Sequence, residues 1–140
     1  MKLSTRYGLV GIGALALLSG IDWLRERQMR LEPVSEYLMG VTPNFAAAIA
    51  ISFVLMSIWA DQTRNANFAA ARYWFFVCAT VSALGLFGWE LFQRTSERLV
   101  FDAHDILATL VGTGTATVIF YMVTPRNANN NELNGQNGAV

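Results

Sequence analysis

Four long stretches without an Asp, Glu, Lys or Arg residue divide the chain. They contain 15, 24, 17 and 20 residues and lie between Arg6 and Asp22, Glu36 and Asp61, Arg72 and Glu90, and Asp105 and Arg126. A bilayer core about 30 Å thick requires roughly 20 mainly apolar residues per helix. The pattern therefore predicts four transmembrane helices, at about 7–24, 43–60, 73–92 and 104–123.

Aromatic residues mark the ends of these predicted spans. Trp23, Trp59 and Trp74 all lie at span ends, and Trp is enriched at membrane–water interfaces because its ring is apolar and its N–H is polar. Four buried helices of a soluble protein would instead show charged outer faces, which these stretches lack. We therefore predict an all-α fold, a polytopic membrane protein whose residues 1–124 form an antiparallel bundle of four transmembrane helices, with the lipid bilayer as its main partner.

Composition excludes several other classes of protein. Only 14% of the residues are charged, against about 25% in an average soluble domain. Ten basic residues balance ten acidic ones, so no net field favours nucleic acid as a partner. With Cys78 and His104 as the single members of their types, neither an internal disulfide nor a zinc site is expected. No pattern indicates a particular cofactor.

The segments outside the spans have distinct characters. Residues 25–42 mix charged and apolar side chains, and we predict that they lie along the membrane surface. Pro33 is expected to break any helix there, and Pro43 to occupy the first turn of the second span. The tail 125–140 holds six asparagines and is predicted to be disordered.

The sequence also bears on the fate of the N-terminal segment and on the orientation of the chain in the membrane. Lys2 and Arg6 before an apolar run also fit a secretory signal peptide, but no Ala-x-Ala pattern follows the run, which favours an uncleaved first helix. For orientation, Lys and Arg divide five to five between the two sides. Eight acidic residues on one side against two on the other favour cytoplasmic N- and C-termini in the inner membrane.

The chemically dense region spans the third and fourth helices. Glu90, Gln93 and Arg94 share a polar stripe that ends the third helix, and Asp105 and Thr109 begin a face of the fourth. A carboxylate such as Glu90 inside an apolar span costs free energy and needs a partner. A purely structural polar cluster and a site for a lipid headgroup or another polar ligand both remain open.

Simpler explanations exist for the neighbouring residues. Asp102 and Asp105 have the spacing of a helix N-cap and an acidic first-turn residue. Gly112, Gly114 and Ala116 are small residues of the kind that let membrane helices approach closely. We further expect Glu90, Arg98 and Asp105 to form one electrostatic unit, because an antiparallel helix pair brings the two carboxylates to one depth and the Arg98 guanidinium can bridge them.

The series Glu90-x-x-Gln93, Arg98 and Asp105-x-x-x-Thr109-x-x-Gly112 resembles the signature of the VanZ-like family of small bacterial membrane proteins. The similarity covers about 86–119. Thr109 stands where that family usually has Asn, and Ala116 where a second glycine often lies. The family is associated with resistance to glycopeptide antibiotics, without an agreed reaction. The resemblance implies an envelope protein that binds or handles lipid-linked or amphipathic molecules.

Two other functions remain in competition. The modest size and the 25–42 segment also suit a small accessory or structural subunit of a larger membrane complex. A membrane hydrolase with His104 as the base would lack an obvious nucleophile, although Thr95 or Ser96 can be named. Whether the protein is an enzyme is therefore left open by the sequence.

Overall fold

The structure, a computed structural model, describes residues 1–27, 33–63, 67–94 and 103–126, and at 33–36, 38 and 94 it describes the backbone alone. Four α-helices follow in chain order: α1 (Leu3–Glu26), α2 (Pro33–Gln62), α3 (Phe68–Arg94) and α4 (Ala103–Val123). Each contains a segment long and apolar enough to cross a membrane. The predicted all-α fold with four membrane-spanning helices is confirmed.

The start of α2 differs from the prediction. Residues 33–42 are helical and continue without interruption into the second span. Pro33 begins this helix instead of breaking it, because a proline at the first helical position has no intrahelical hydrogen bond to lose. Pro43 consequently lies inside α2 and not in its first turn. Of the tail predicted for 125–140, only Pro125 and Arg126 belong to the described residues.

Pro43 leaves a backbone carbonyl of α2 without its usual helical donor. A residue with an N–H at this position would bond the carbonyl of Met39, four residues earlier. Arg25, near the end of α1, donates from Nη2 to the carbonyl oxygens of Met39 and Gly40, the latter at 3.3 Å. A side chain of α1 thus supplies the donor that Pro43 lacks, and it connects the end of α1 to the start of α2.

α2 is the central helix of the bundle, because it packs against each of the other three. Every helix contributes one fully buried aromatic ring to a shared cluster, which consists of Tyr7, Phe53, Phe75 and Phe120. Phe75 stacks on Phe120 with ring centroids 4.3 Å apart, and Phe53 lies 5.8 Å from Phe75. Such pairs contribute about 0.5–1.5 kcal/mol each beyond their buried area, so this cluster sets the packing of all four helices.

The first and last helices meet at one end of the bundle. The hydroxyl groups of Tyr7 and Thr124 are hydrogen-bonded at 2.9 Å, and Nη1 of Arg6 donates to the Val123 carbonyl at 3.3 Å. We call this the terminal end, and the opposite end, which holds Glu90 and Asp105, the polar end. The helices therefore alternate in direction, as an antiparallel bundle requires.

Candidate functional site

Glu90 is buried inside the bundle near the end of α3. The inward face of α3 follows helical spacing of three and four residues, and its buried members are Ala71, Phe75, Cys78, Ala79, Ser82 and Glu90. Glu90 continues this face and is only 2% exposed. The carboxyl group singled out from the sequence is therefore enclosed by protein, not by lipid.

Asn44 of α2 holds the Glu90 carboxyl group from the neighbouring helix. Its Nδ2 donates to Oε1 of Glu90 at 3.1 Å. Burial of a polar group is costly unless it is hydrogen-bonded, so this contact stabilises both side chains. Sequence reasoning missed Asn44, which lies 46 residues from Glu90. The available signal was an amide side chain within a span that has no other amide and no charged side chain.

A second polar bridge joins α2 and α3 nearer the middle of the membrane-spanning segments. The hydroxyl group of Ser82 donates to the Ala48 carbonyl at 3.3 Å, and that of Ser52 donates to the same oxygen at 2.7 Å. Ser82 and Ser52 are both buried. The seam between α2 and α3 therefore has polar contacts at two depths, of which the Asn44–Glu90 contact is the one nearer the polar end.

Thr109 of α4 is fully buried but uses its hydroxyl group within its own helix. The hydroxyl donates to the Asp105 carbonyl at 2.9 Å. Thr113 and Thr117 repeat the pattern, each donating to the carbonyl four residues earlier. These bonds satisfy the hydroxyl hydrogens locally, so α4 can bury threonines without a partner on another helix. Asp105 is half-buried at the start of α4.

Gly112 lies where α4 approaches α2 closely. A methyl group at this position would lie 2.6 Å from the Phe45 carbonyl oxygen and 3.0 Å from the Ala48 side chain. Ala116, one turn further along α4, is fully buried. Gly114 faces elsewhere, because a methyl group there would meet no atom within 4 Å. Of the three small residues predicted to pack helices, Gly112 and Ala116 thus lie in the bundle and Gly114 lies on its surface.

Other predicted members of the polar cluster are less fully described. Gln93 is half-buried on α3, one turn beyond Glu90. Arg98 and Asp102 lie outside the described residues. The electrostatic unit of Glu90, Arg98 and Asp105 therefore stays a prediction.

A groove of about 260 Å³ runs between α2 and α4 at the polar end, and we call it the α2/α4 groove. It is lined by Tyr37, Val41, Thr42, Phe45, His104, Leu107, Ala108 and Val111. Its deep end lies beside Gly112, where the backbones of α2 and α4 are close together. The rings of Tyr37 and His104 meet edge to face at its outer end, with centroids 5.4 Å apart. The groove is therefore polar at the outer end and largely apolar along its length.

The described residues define a class of protein, a four-helix polytopic membrane protein with a buried carboxyl–amide pair beside an amphipathic groove. Within the described ranges no three His, Cys, Asp or Glu side chains come together as a possible metal site. Comparison of the chain with family models, curated proteins and solved structures finds no match.

Proposed function

We propose that this protein is an envelope membrane protein that binds an amphipathic or lipid-linked molecule in the α2/α4 groove. The observation that carries the proposal is the distribution of polarity along the groove. Tyr37 and His104 stand at the end of the groove nearest the starts of α2 and α4, and Phe45 and Val111 stand about two turns further along these helices. A molecule with a polar head and a single apolar chain matches this gradient.

Selectivity in this groove has to come from its polar end. An apolar chain gains little when it leaves lipid for an apolar wall, because lipid tails are as apolar as Leu. The hydroxyl groups of Tyr37 and Thr42 and the imidazole of His104 can donate or accept hydrogen bonds. These groups would recognise the head, and the groove, just below the usual 300–1,000 Å³ of ligand pockets, would hold one chain.

The resemblance to VanZ-like proteins supports the same proposal. The residues that carry it, including Glu90, Gln93 and Asp105, belong to α3 and α4 at the polar end. Asn44–Glu90 pairing braces α2 against α3 on one side of α2, while the groove opens between α2 and α4 on another. In this proposal the carboxyl–amide pair holds α2 in the position that shapes the groove, and a role in glycopeptide resistance follows from the resemblance alone.

The experiment measures photolabelling of the α2/α4 groove by a lipid probe, with and without a side chain that fills the groove. Full-length protein in lipid nanodiscs is illuminated with a diazirine-tagged polyprenyl phosphate, and the labelled peptides are identified. We expect labelling on α2 and α4 at the polar end, reduced about tenfold in Val111→Trp, because the indole ring occupies the space of the chain.

Val118→Trp is the matched control. Val118 has the same residue type and nearly the same face of α4, and it is 61% exposed against 54% for Val111, but it does not line the groove. Labelling that is equal in both variants, or that is spread over all four helices, would refute a binding site in this groove.

A specific observation also favours the accessory-subunit function. Gly13 and Gly20 lie on the same side of α1, and a methyl group at either would meet no atom within 4 Å. Small residues on a lipid-facing surface allow another helix to approach closely. Purification from native membranes separates the two functions, since a stoichiometric larger complex supports the subunit and a lone monomer or homodimer supports the ligand-binding protein.

A further inference from the structure

A second groove, of about 370 Å³, lies between α1 and α2 at the terminal end, and we call it the α1/α2 groove. It is lined by Ser4, Thr5, Gly8, Leu9, Ile12, Ser57, Ile58 and Asp61. The hydroxyl group of Ser57 donates to the Ser4 carbonyl at 2.9 Å and holds the two helices together beside it. On α1 the polar members Ser4 and Thr5 lie nearer the helix end than Leu9 and Ile12, and on α2 Asp61 is the member nearest the helix end.

The aromatic residues of this end locate the groove relative to the bilayer. Trp59 and Trp74 stack at 6.2 Å between centroids, one on α2 and one on α3, and paired indoles of this kind mark the headgroup region. Asp61 lies two residues beyond Trp59 on α2, so it is at least as close to the end of the helix as Trp59. Ile12 lies eight residues inward from Ser4, about 12 Å along the helix axis. The groove therefore runs from the headgroup level into the hydrocarbon region.

Asp61 gives the outer end of this groove a negative charge. Its side chain is exposed, and no basic side chain in the described parts of the chain lies within 4 Å of it. Arg6 of the same end is directed toward α4, where it donates to the Val123 carbonyl. The hydroxyl groups of Ser4 and Thr5 stand on the opposite wall. The outer end thus offers a carboxylate together with neutral hydroxyl groups.

We propose that the α1/α2 groove binds a phospholipid whose headgroup carries a primary ammonium group, as in phosphatidylethanolamine. The ammonium contacts the Asp61 carboxylate, and one acyl chain lies along Leu9 and Ile12. A primary ammonium provides three hydrogen-bond donors to the carboxylate, whereas a trimethylated ammonium provides none and a glycerol headgroup carries no cation. This site is at the opposite end of the bundle from the α2/α4 groove, so the failure of one proposal would leave the other unaffected.

The experiment is native mass spectrometry of the full-length protein in mild detergent. Phosphatidylethanolamine, phosphatidylcholine and phosphatidylglycerol with identical acyl chains are added at equal concentration. We expect ethanolamine-lipid adducts to exceed choline-lipid adducts about fivefold, the effect of one favourable charge contact near a surface. Asp61→Asn, which keeps the shape of the side chain, should bring this ratio to about one.

Two matched controls accompany these measurements. Asp22→Asn removes an exposed carboxylate at the other end of the bundle, which lies 4.0 Å from Arg25, and it should leave the ratio unchanged. Leu9→Trp fills the groove and should reduce binding of all three lipids, while Leu17→Trp, on the same helix and similarly exposed, should not. Equal binding of the lipids by the wild-type protein, or a preference that survives Asp61→Asn, would overturn the proposal.

Discussion

Gly112 and Gly114 are two residues apart on α4 but face different surroundings. Gly112→Ala places a methyl group 2.6 Å from the Phe45 carbonyl oxygen, so α2 and α4 have to separate. We expect the free energy of unfolding in detergent to fall by about 1–3 kcal/mol, the usual range for overpacking. Gly114→Ala is the control, because its methyl group meets nothing and alanine is the better helix former by about 1 kcal/mol. Equal stability of the two variants would contradict the close approach.

The Asn44–Glu90 contact makes a second prediction for single residues. A double-mutant cycle of Asn44→Ala and Glu90→Ala should give a coupling energy of about 1 kcal/mol, within the range measured for interhelical hydrogen bonds in membranes. Glu26 serves as the control carboxylate, because it is exposed at the end of α1. The effects of Asn44→Ala and Glu26→Ala should therefore add. Strict additivity in the Asn44–Glu90 cycle would show that the two side chains do not interact.

At the scale of the helices, Arg25 and Pro43 act as a pair. Arg25→Ala removes the donor to the Met39 and Gly40 carbonyls and should lower stability by about 1 kcal/mol. In a Pro43→Ala background, residue 43 has a backbone N–H that can bond the Met39 carbonyl. Arg25→Ala should then lower stability by about half as much or less. Thermal unfolding of the four proteins of this cycle in detergent measures the difference.

Arg27→Ala is the control for this cycle. The Arg27 guanidinium lies 4.1 Å from the centre of the Trp23 ring, near the end of α1. The loss of stability caused by Arg27→Ala should therefore be the same with and without Pro43→Ala. If Arg25→Ala lowers stability equally with and without Pro43→Ala, the Arg25 side chain does not substitute for the N–H that Pro43 lacks.

The helices were predictable from the sequence, and their pairing was not. Charge-free stretches of the right length predict four spans because lipid excludes charged side chains from long apolar segments. The start of α2 was missed because a proline such as Pro33 both ends helices and begins them, and composition does not distinguish the two. Glu90 was identifiable because a carboxylate in an apolar span costs free energy and needs a partner. The identity of that partner, Asn44, could not be predicted, because it depends on which helix packs against α3.

For the whole molecule, the antiparallel bundle predicts a pattern of accessibility. In a protein with Cys78 replaced by Ala, single cysteines at Ser35 and Ser96 should react with an impermeant maleimide from one side. Cysteines at Thr63 and Asn130 should react from the other side, which is the cytoplasmic side if the acidic residues orient the chain as predicted. Any other pairing of these positions contradicts four membrane crossings.

The native cysteine provides an internal control for these measurements. Cys78 is buried on the inward face of α3, so the wild-type protein should not react with polar thiol reagents in intact membranes. Rapid labelling of Cys78 would mean that the α3 span is open to water.

The hydrogen bond between Tyr7 and Thr124 joins residues separated by 117 positions. At about 5–20 residues per second, a ribosome needs about 6–23 s to make the intervening chain. During this delay α1 is already synthesised while its partner on the last helix does not exist. α1 and α2 can pair as a hairpin during this delay, because the Arg25 and Ser57 contacts between them are available as soon as α2 has emerged.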